Sequence, residues 1–394
     1  MKVAGIIAEY NPFHAGHAYH IAQTRAMGAT HIVAVMSGNT VQRGEFAIGR
    51  KELRARAALE NGVDLAICLP APWSCARAQD FARGAISLIK ALGFIDVLSF
   101  GSECGDIGLI RRAAELTRDR GVNKTIKELA GQGRALAAAR QAALREVDFA
   151  ASELLRQPND TLNVEYFNAL AACGAEIAPL AIQRIGAGHD VLGFREKGPC
   201  SASELRIIMS AGEFHEALVP SGALWKDEMR RQMAPVRTRQ VELAMLAKLR
   251  CMSPGEIARL PDISEGLEHR IWRAARQAGS LEELLRFAAT KRYPVARIRR
   301  IVFHSFLGVT KESVSALPGY IQILGHTAAG RELLRLTRQN ARLPWILRHA
   351  DTRNLPEKEK NEYRLACREA DLMALAMPKP QPCGLEERHR TIAL

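Results

Sequence analysis

The stretch from Val3 to His20 restricts the fold of this 394-residue chain more than any other. Val3, Ala4, Ile6, Ile7 and Ala8 form an apolar run of strand length with no polar alternation. Such a run fits a strand buried on both faces of a parallel sheet. Asn11-Pro12 breaks it, and a helical pattern starts near Gly16. The break carries His14-Ala15-Gly16-His17. A strand turning tightly into a helix leaves free backbone N–H groups and a positive dipole end at the carboxyl edge of the sheet, where phosphates bind. Two imidazoles three residues apart reach the same phosphate chain, and the glycine between them lets the backbone approach. The segment reads as a nucleotide site; the plainer alternative is a pair of histidines capping a helix.

The rest of the first half repeats this logic. Apolar runs at 31–36, 63–69, 95–100 and 177–182 alternate with amphipathic stretches at 17–27, 50–61, 78–91 and 106–118. That order predicts βαβ units, hence a parallel sheet with helices on both faces and ligands at the carboxyl ends of its strands. Several loops fall at that edge. Ser37 to Glu45 is rich in donors, and its Arg43 suits a phosphate or a carboxylate. Gly101 ends the fourth run and permits close approach of a base or ribose. Asn159, behind Pro158, is either a helix cap or an amide that reads a nucleotide. Arg184 roots the glycine-spaced loop Ile185-Gly186-Ala187-Gly188. Ser201-Ala202-Ser203-Glu204-Leu205-Arg206 reads as a capping box that also offers hydroxyls and a cation to the far end of a triphosphate. Residues 123–157, rich in Ala, Lys, Arg and Gln, read as a helical insertion.

Charge divides the chain. Residues 223–394 hold 31 Lys and Arg against 19 Asp and Glu, whereas residues 1–222 hold 24 against 23. A near-neutral catalytic front and a basic helical back predict two domains, 1–222 and 223–394, the second binding a polyanion. Within it, Lys291, Arg292, Tyr293, Arg297, Arg299 and Arg300 make the densest basic stretch, with Tyr293 placed to stack on a base. The tail after Pro378 reads as loosely held. Eight scattered cysteines, with neither a CxxC pair nor zinc-finger spacing, predict no disulfide and no structural metal. No run approaches membrane-spanning length, and the N-terminus does not read as a signal peptide, so a cytoplasmic protein is expected.

The segments AEYNPFHAGHAYH, VMSGNTVQRGEFAI, ENGVDLAICLP, FGSECGD, QRIGAGHD and KRYPVARIRRIVFHSFLGVTKE together resemble the bacterial tRNA(Met) cytidine acetate ligase family, within the HxGH nucleotidyltransferases. The resemblance implies an α/β fold: a Rossmann-like nucleotidyltransferase domain with a parallel sheet, followed by an all-helical basic domain. It implies a ligase that activates acetate with ATP as acetyl-adenylate and acetylates N4 of the wobble cytidine of elongator tRNA(Met). The family's ATP segment falls on Ile7-Ala8-Glu9-Tyr10-Asn11-Pro12-Phe13-His14-Ala15-Gly16-His17-Ala18-Tyr19-His20, with His14 and His17 catalytic. Further nucleotide contacts fall on Gly101, Asn159 and Arg184, and the second phosphate motif on Ser201, Ser203 and Arg206. Mg²⁺ is expected with the ATP, and no membrane or stable protein partner is expected. Where the family tends to Asn-Asn-Ile-Leu-Gly, this chain has Asn159-Asp160-Thr161-Leu162-Asn163. Two other functions fit parts of the chain: an adenylyltransferase acting on a small phosphorylated metabolite, which leaves the basic back unused, and a non-catalytic RNA-binding factor, which leaves the two histidines unexplained.

Overall fold

The computed structural model describes residues 1–184, 202–264, 266–337 and 342–394. Its strands are β1 (Val3–Ala8), β2 (His31–Ser37), β3 (Thr40–Val41), β4 (Glu45–Phe46), β5 (Leu65–Leu69), β6 (Val97–Ser102), β7 (Ala178–Gln183), β8 (Ile321–His326), β9 (Trp345–Ile346) and β10 (Ile392–Ala393). The main sheet runs β10-β8-β5-β2-β1-β6-β7, with β9 also paired to β8; β3 and β4 form a separate hairpin. From β5 to β7 every pairing is parallel. Parallel neighbours need crossovers, supplied by helices that include Ala15–Ala26, Lys51–Glu60 and Ala78–Leu92.

The apolar runs are continuous because both faces of the sheet are covered. Val33 and Val35 of β2 enter one core with Leu65, Ile67 and Leu88, while Ile32, Ala34 and Met36 enter the opposite core with Ile21, Ala58 and Leu59. This is the two-residue period of a strand with apolar residues on both phases. The expected strands are all present, displaced by at most two residues at an end. The insertion at 123–157 is helical, and Val122, Ile126, Ala139, Leu144 and Leu154 carry it onto the first of these cores.

Helices dominate residues 223–394, and they share a core from Val236 to Met377 that also takes in Phe46, Ala71 and Cys75 from the front half. Three short strands from this half, not singled out by the sequence, join the front sheet: β8 lies antiparallel on β5, and β9 and β10 lie parallel on β8. The tail is anchored rather than loose. Glu386 pairs with Lys51 at 2.7 Å, the two side chains being 1% and 2% exposed, and Gln322 donates to the same carboxylate. Burial pulls the Lys51 ammonium down, but Glu386 together with Cys68 and Glu52 more than offsets it and holds the lysine charged. Among the described residues no helix is long and apolar enough to cross a membrane, and the described cysteines are free thiols.

Candidate active site

β1 ends at Ala8; two residues on, Tyr10 with a φ of 48° turns the chain out of the sheet, and His14 caps the helix Ala15–Ala26. No Ser, Thr or Asp performs the capping; the imidazole does. The Gly16 N–H donates to His14 Nδ1 at 3.0 Å, and the His14 N–H donates to His17 Nδ1 at 3.3 Å. The two rings lie close together, their centroids 3.9 Å apart and their planes tilted by 33°. Each Nδ1 accepts a backbone proton, so each neutral ring carries its own proton on Nε2. A Cβ on Gly16 would stand 2.9 Å from His14 Cε1, so only glycine lets the ring fold back over the helix start. Tyr10 and Phe13 pack edge-on and tilted against His17 and help fix its plane.

Burial, then the charges of Arg184 and Arg206, pull His14 down to about 4. Burial and Arg184 bring His20 to about 4, and its Nε2 lies 2.9 Å from Ser99 Oγ. His17 lies well below the ordinary imidazole range, through burial first and then its neighbours His14, His20 and Arg184. At neutral pH all three are uncharged, and the positive charge comes from arginines.

Those arginines mark two ends. At one, Arg206 donates to the Asn11 carbonyl (2.8 Å) and to Ser203 Oγ (3.0 Å), and Arg43 donates to the same hydroxyl (2.8 Å). Two guanidiniums meeting on one hydroxyl repel; burial and then Arg43 push the Arg206 pKa down. An anion placed between them relieves that repulsion. At the other end, Arg184 lies over Gly101, with Cγ 3.3 Å from where a Cβ would be. Beside it the Glu103 carboxylate takes the N–H groups of Asn159 (3.4 Å) and Asp160 (3.0 Å) and the Asn159 side-chain amide. Asn159 is thus fixed at the start of the helix Pro158–Cys173, with Glu103 as the cap. Asp160 is buried and binds Ser102 Oγ and the Cys104 N–H, tying the helix to the loop after β6.

A family model described as HIGH Nucleotidyl Transferase matches residues 1–387. A tRNA(Met) cytidine acetate ligase of Thermoanaerobacter sp. (strain X514) is 32% identical over 408 residues, covering 100% of both chains. One of Clostridium kluyveri (strain NBRC 12016) is 36% identical over 363 residues, covering 87% of this chain and 89% of its own. The crystal structure of Thermotoga maritima TmcAL (apo, form I) matches with a TM-score of 0.91 at 31% identity, and the form bound with alpha-thio ATP with 0.90 at 30%, each over the full length of both chains. This chain belongs to the tRNA(Met) cytidine acetate ligase family.

Within this member of the tRNA(Met) cytidine acetate ligases, the structure brings His14, His17, His20, Arg184, Gly101, Ser203 and Arg206 to one edge of the sheet. Ser201 and the loop 185–190 lie outside the described residues. The basic stretch is divided by the structure. Tyr293 is 8% exposed and belongs to the helical core, with the guanidiniums of Arg292 and Arg297 over its ring. Burial corrects its expected role in stacking on a base, and two guanidiniums already contact the ring. Arg297 donates to the Asp262 carbonyl and Ser264, and Arg300 to the Asp262 carboxylate, so both hold the turn at 261–264. Lys291 is exposed, and Arg299 faces a cleft between the halves.

Sequence reasoning missed three organisers of the site. Arg54 is fully buried and donates to the carbonyls of Glu9, Ser37, Gly38 and Gly49, binding the loops after β1 and β2 together. Asn39 Oδ1 accepts the Lys51 N–H and anchors the next helix. A mid-helix arginine in RKELRARAALE is indistinguishable by pattern from a solvated one. Glu103, the third omission, had a signal: an acid directly after a strand-end glycine.

Proposed function

We propose that the protein activates acetate with ATP and transfers the acetyl group to N4 of the wobble cytidine of elongator tRNA(Met). The carrying observation is the pair of neutral imidazoles with both Nε2–H groups free of backbone duty, set between the Arg43–Ser203–Arg206 cluster and the Arg184–Gly101 surface. In this reading the triphosphate lies along that line. An acetate oxygen attacks the α-phosphorus while the bond to the β-phosphate oxygen breaks, giving acetyl-adenylate and pyrophosphate. His14 and His17 donate to the phosphoryl oxygens as charge builds on them, and Arg206, Ser203 and Arg43 hold the departing pyrophosphate. Gly101, Asn159 and Arg184 receive the nucleoside end. The cytidine N4 then attacks the acetyl carbonyl, the bond to AMP breaks and N4 releases a proton; positioning dominates this step.

Mg²⁺ enters with the nucleotide in this reading and neutralises charge on its phosphates. Among the described residues no three His, Cys, Asp or Glu side chains gather into a metal site. Residues 1–222 carry the adenylation chemistry, and 223–394 carry the tRNA, with Lys291, Arg292 and Arg299 toward phosphates. The protein works in the cytoplasm without a stable protein partner. The test is exchange of labelled pyrophosphate into ATP without tRNA. Exchange that requires acetate and vanishes in His17→Ala supports the reading; exchange indifferent to acetate but dependent on a phosphorylated metabolite would replace it.

A further inference from the structure

Between the two halves runs a cleft of about 790 Å³, within the size range of ligand sites. Its front wall comes from Arg43 to Phe46 and from Ser203, Arg206 and Ile207; its back wall carries Arg239, Glu242, Met245, Leu285 and Arg299. One end is therefore the phosphate end of the site described above. Ile207 is 71% exposed on this wall, an aliphatic side chain left open on a cationic surface. The Arg239 and Arg299 guanidiniums form no hydrogen bond or ion pair among the described residues, and their charges pull the Glu242 pKa down against the burial that raises it. Glu45 and Glu242 line opposite walls. The cleft thus combines an apolar surface, unpaired guanidiniums and carboxylates that accept protons from an amine.

That combination suits one extruded nucleotide. The base covers the apolar wall, the guanidiniums take flanking phosphates, and a carboxylate accepts from an exocyclic amine, as acids do toward cytosine N4. We propose that the cleft receives a single amino-bearing nucleotide flipped out of the RNA substrate, with its base on the exposed Ile207, its phosphates on Arg239 and Arg299, and its amine facing Glu242. The proposal rests on the ligase reading and adds the docking site of the acceptor. It also accounts for the adjacency of this cleft to Arg206: an acceptor base must arrive beside the adenylate, and single-stranded loops release bases readily enough to be read this way.

The test uses the full-length protein and two anticodon stem-loop RNAs, one with cytidine and one with uridine at the wobble position. Wild type is expected to bind the cytidine RNA about tenfold more tightly. Ile207→Ala and Arg239→Ala are each expected to weaken cytidine-RNA binding severalfold or more, and Glu242→Gln to bring the ratio between the RNAs close to one. All three retain acetate-dependent pyrophosphate exchange, which reports a folded front half. Glu242→Gln leaving the ratio at its wild-type value, or Ile207→Ala and Arg239→Ala both binding the cytidine RNA as tightly as wild type, would overturn the proposal. Wild type lacking exchange yet losing cytidine discrimination in Glu242→Gln would uphold the cleft and remove the ligase reading.

Discussion

Gly16→Ala separates catalysis from stability more cleanly than removal of either histidine. Gly16 lies in the first turn of the helix Ala15–Ala26, and its backbone lies outside the left-handed region, so alanine adopts the same conformation. The new Cβ would stand 2.9 Å from His14 Cε1 and 3.1 Å from Nδ1. Ordinary carbon contacts are about 3.5–4.0 Å, so the imidazole must swing away by roughly half an ångström or more. The motion stretches the 3.0 Å bond from the Gly16 N–H to Nδ1 and releases the restraint that keeps the proton on Nε2. Misplacement on this scale costs about 10²-fold in rate, or about 2.7 kcal/mol in the barrier. Stability moves the other way: alanine gains up to about 1 kcal/mol over glycine in a helix, against about 1 kcal/mol for the weakened hydrogen bond. The expected variant melts within a few degrees of wild type and exchanges pyrophosphate about a hundredfold more slowly at saturating ATP. Exchange within threefold of wild type would refute the argument that the folded-back ring of His14 serves the chemistry. A large drop in melting temperature would show instead that the glycine is there for the fold.

Other perturbations probe the remaining links. Glu386→Ala leaves the buried Lys51 without its carboxylate and is expected to cost about 3–5 kcal/mol in urea unfolding; a loss below 1 kcal/mol would show that the tail is not a structural clip. By NMR titration, His14 and His20 should remain neutral down to about pH 4, and His17 should titrate well below the ordinary imidazole range. The unfolded chain takes up these protons near pH 6.5 and the folded chain only near 4, so they lower stability progressively as pH falls through that window; normal midpoints would mean open, solvated rings. Tyr293→Ala is expected to cost about 3 kcal/mol in stability as a core truncation, whereas Tyr293→Phe should leave RNA affinity unchanged. A selective loss of RNA binding in Tyr293→Phe would restore the exposed role.

The parallel sheet was legible because its signal is local. Apolar residues on both phases of β2 and β5 declare a strand covered on two sides, and the break at Asn11-Pro12 declares where ligands meet the sheet edge. The histidine pair was legible for the same reason: its spacing and its glycine are fixed within four residues. Asn159 was only half legible, since its alternatives, cap or nucleotide contact, depend on Glu103, a partner 56 positions away.

What the sequence determined by itself is therefore the alternation of strands and helices in the front half, the place of the HxGH turn and the excess of cations in the back half. Each follows from interactions between near neighbours in the chain. Tertiary structure decided the rest. It withdrew Arg297 and Arg300 to Asp262, buried Tyr293, gave the tail a lysine to neutralise and set Arg43 beside Arg206, 163 positions later in the chain, on one hydroxyl. Periodicity reports only that a residue faces inward or outward; which charge it meets there depends on packing between distant segments, and that packing gives each arginine its role.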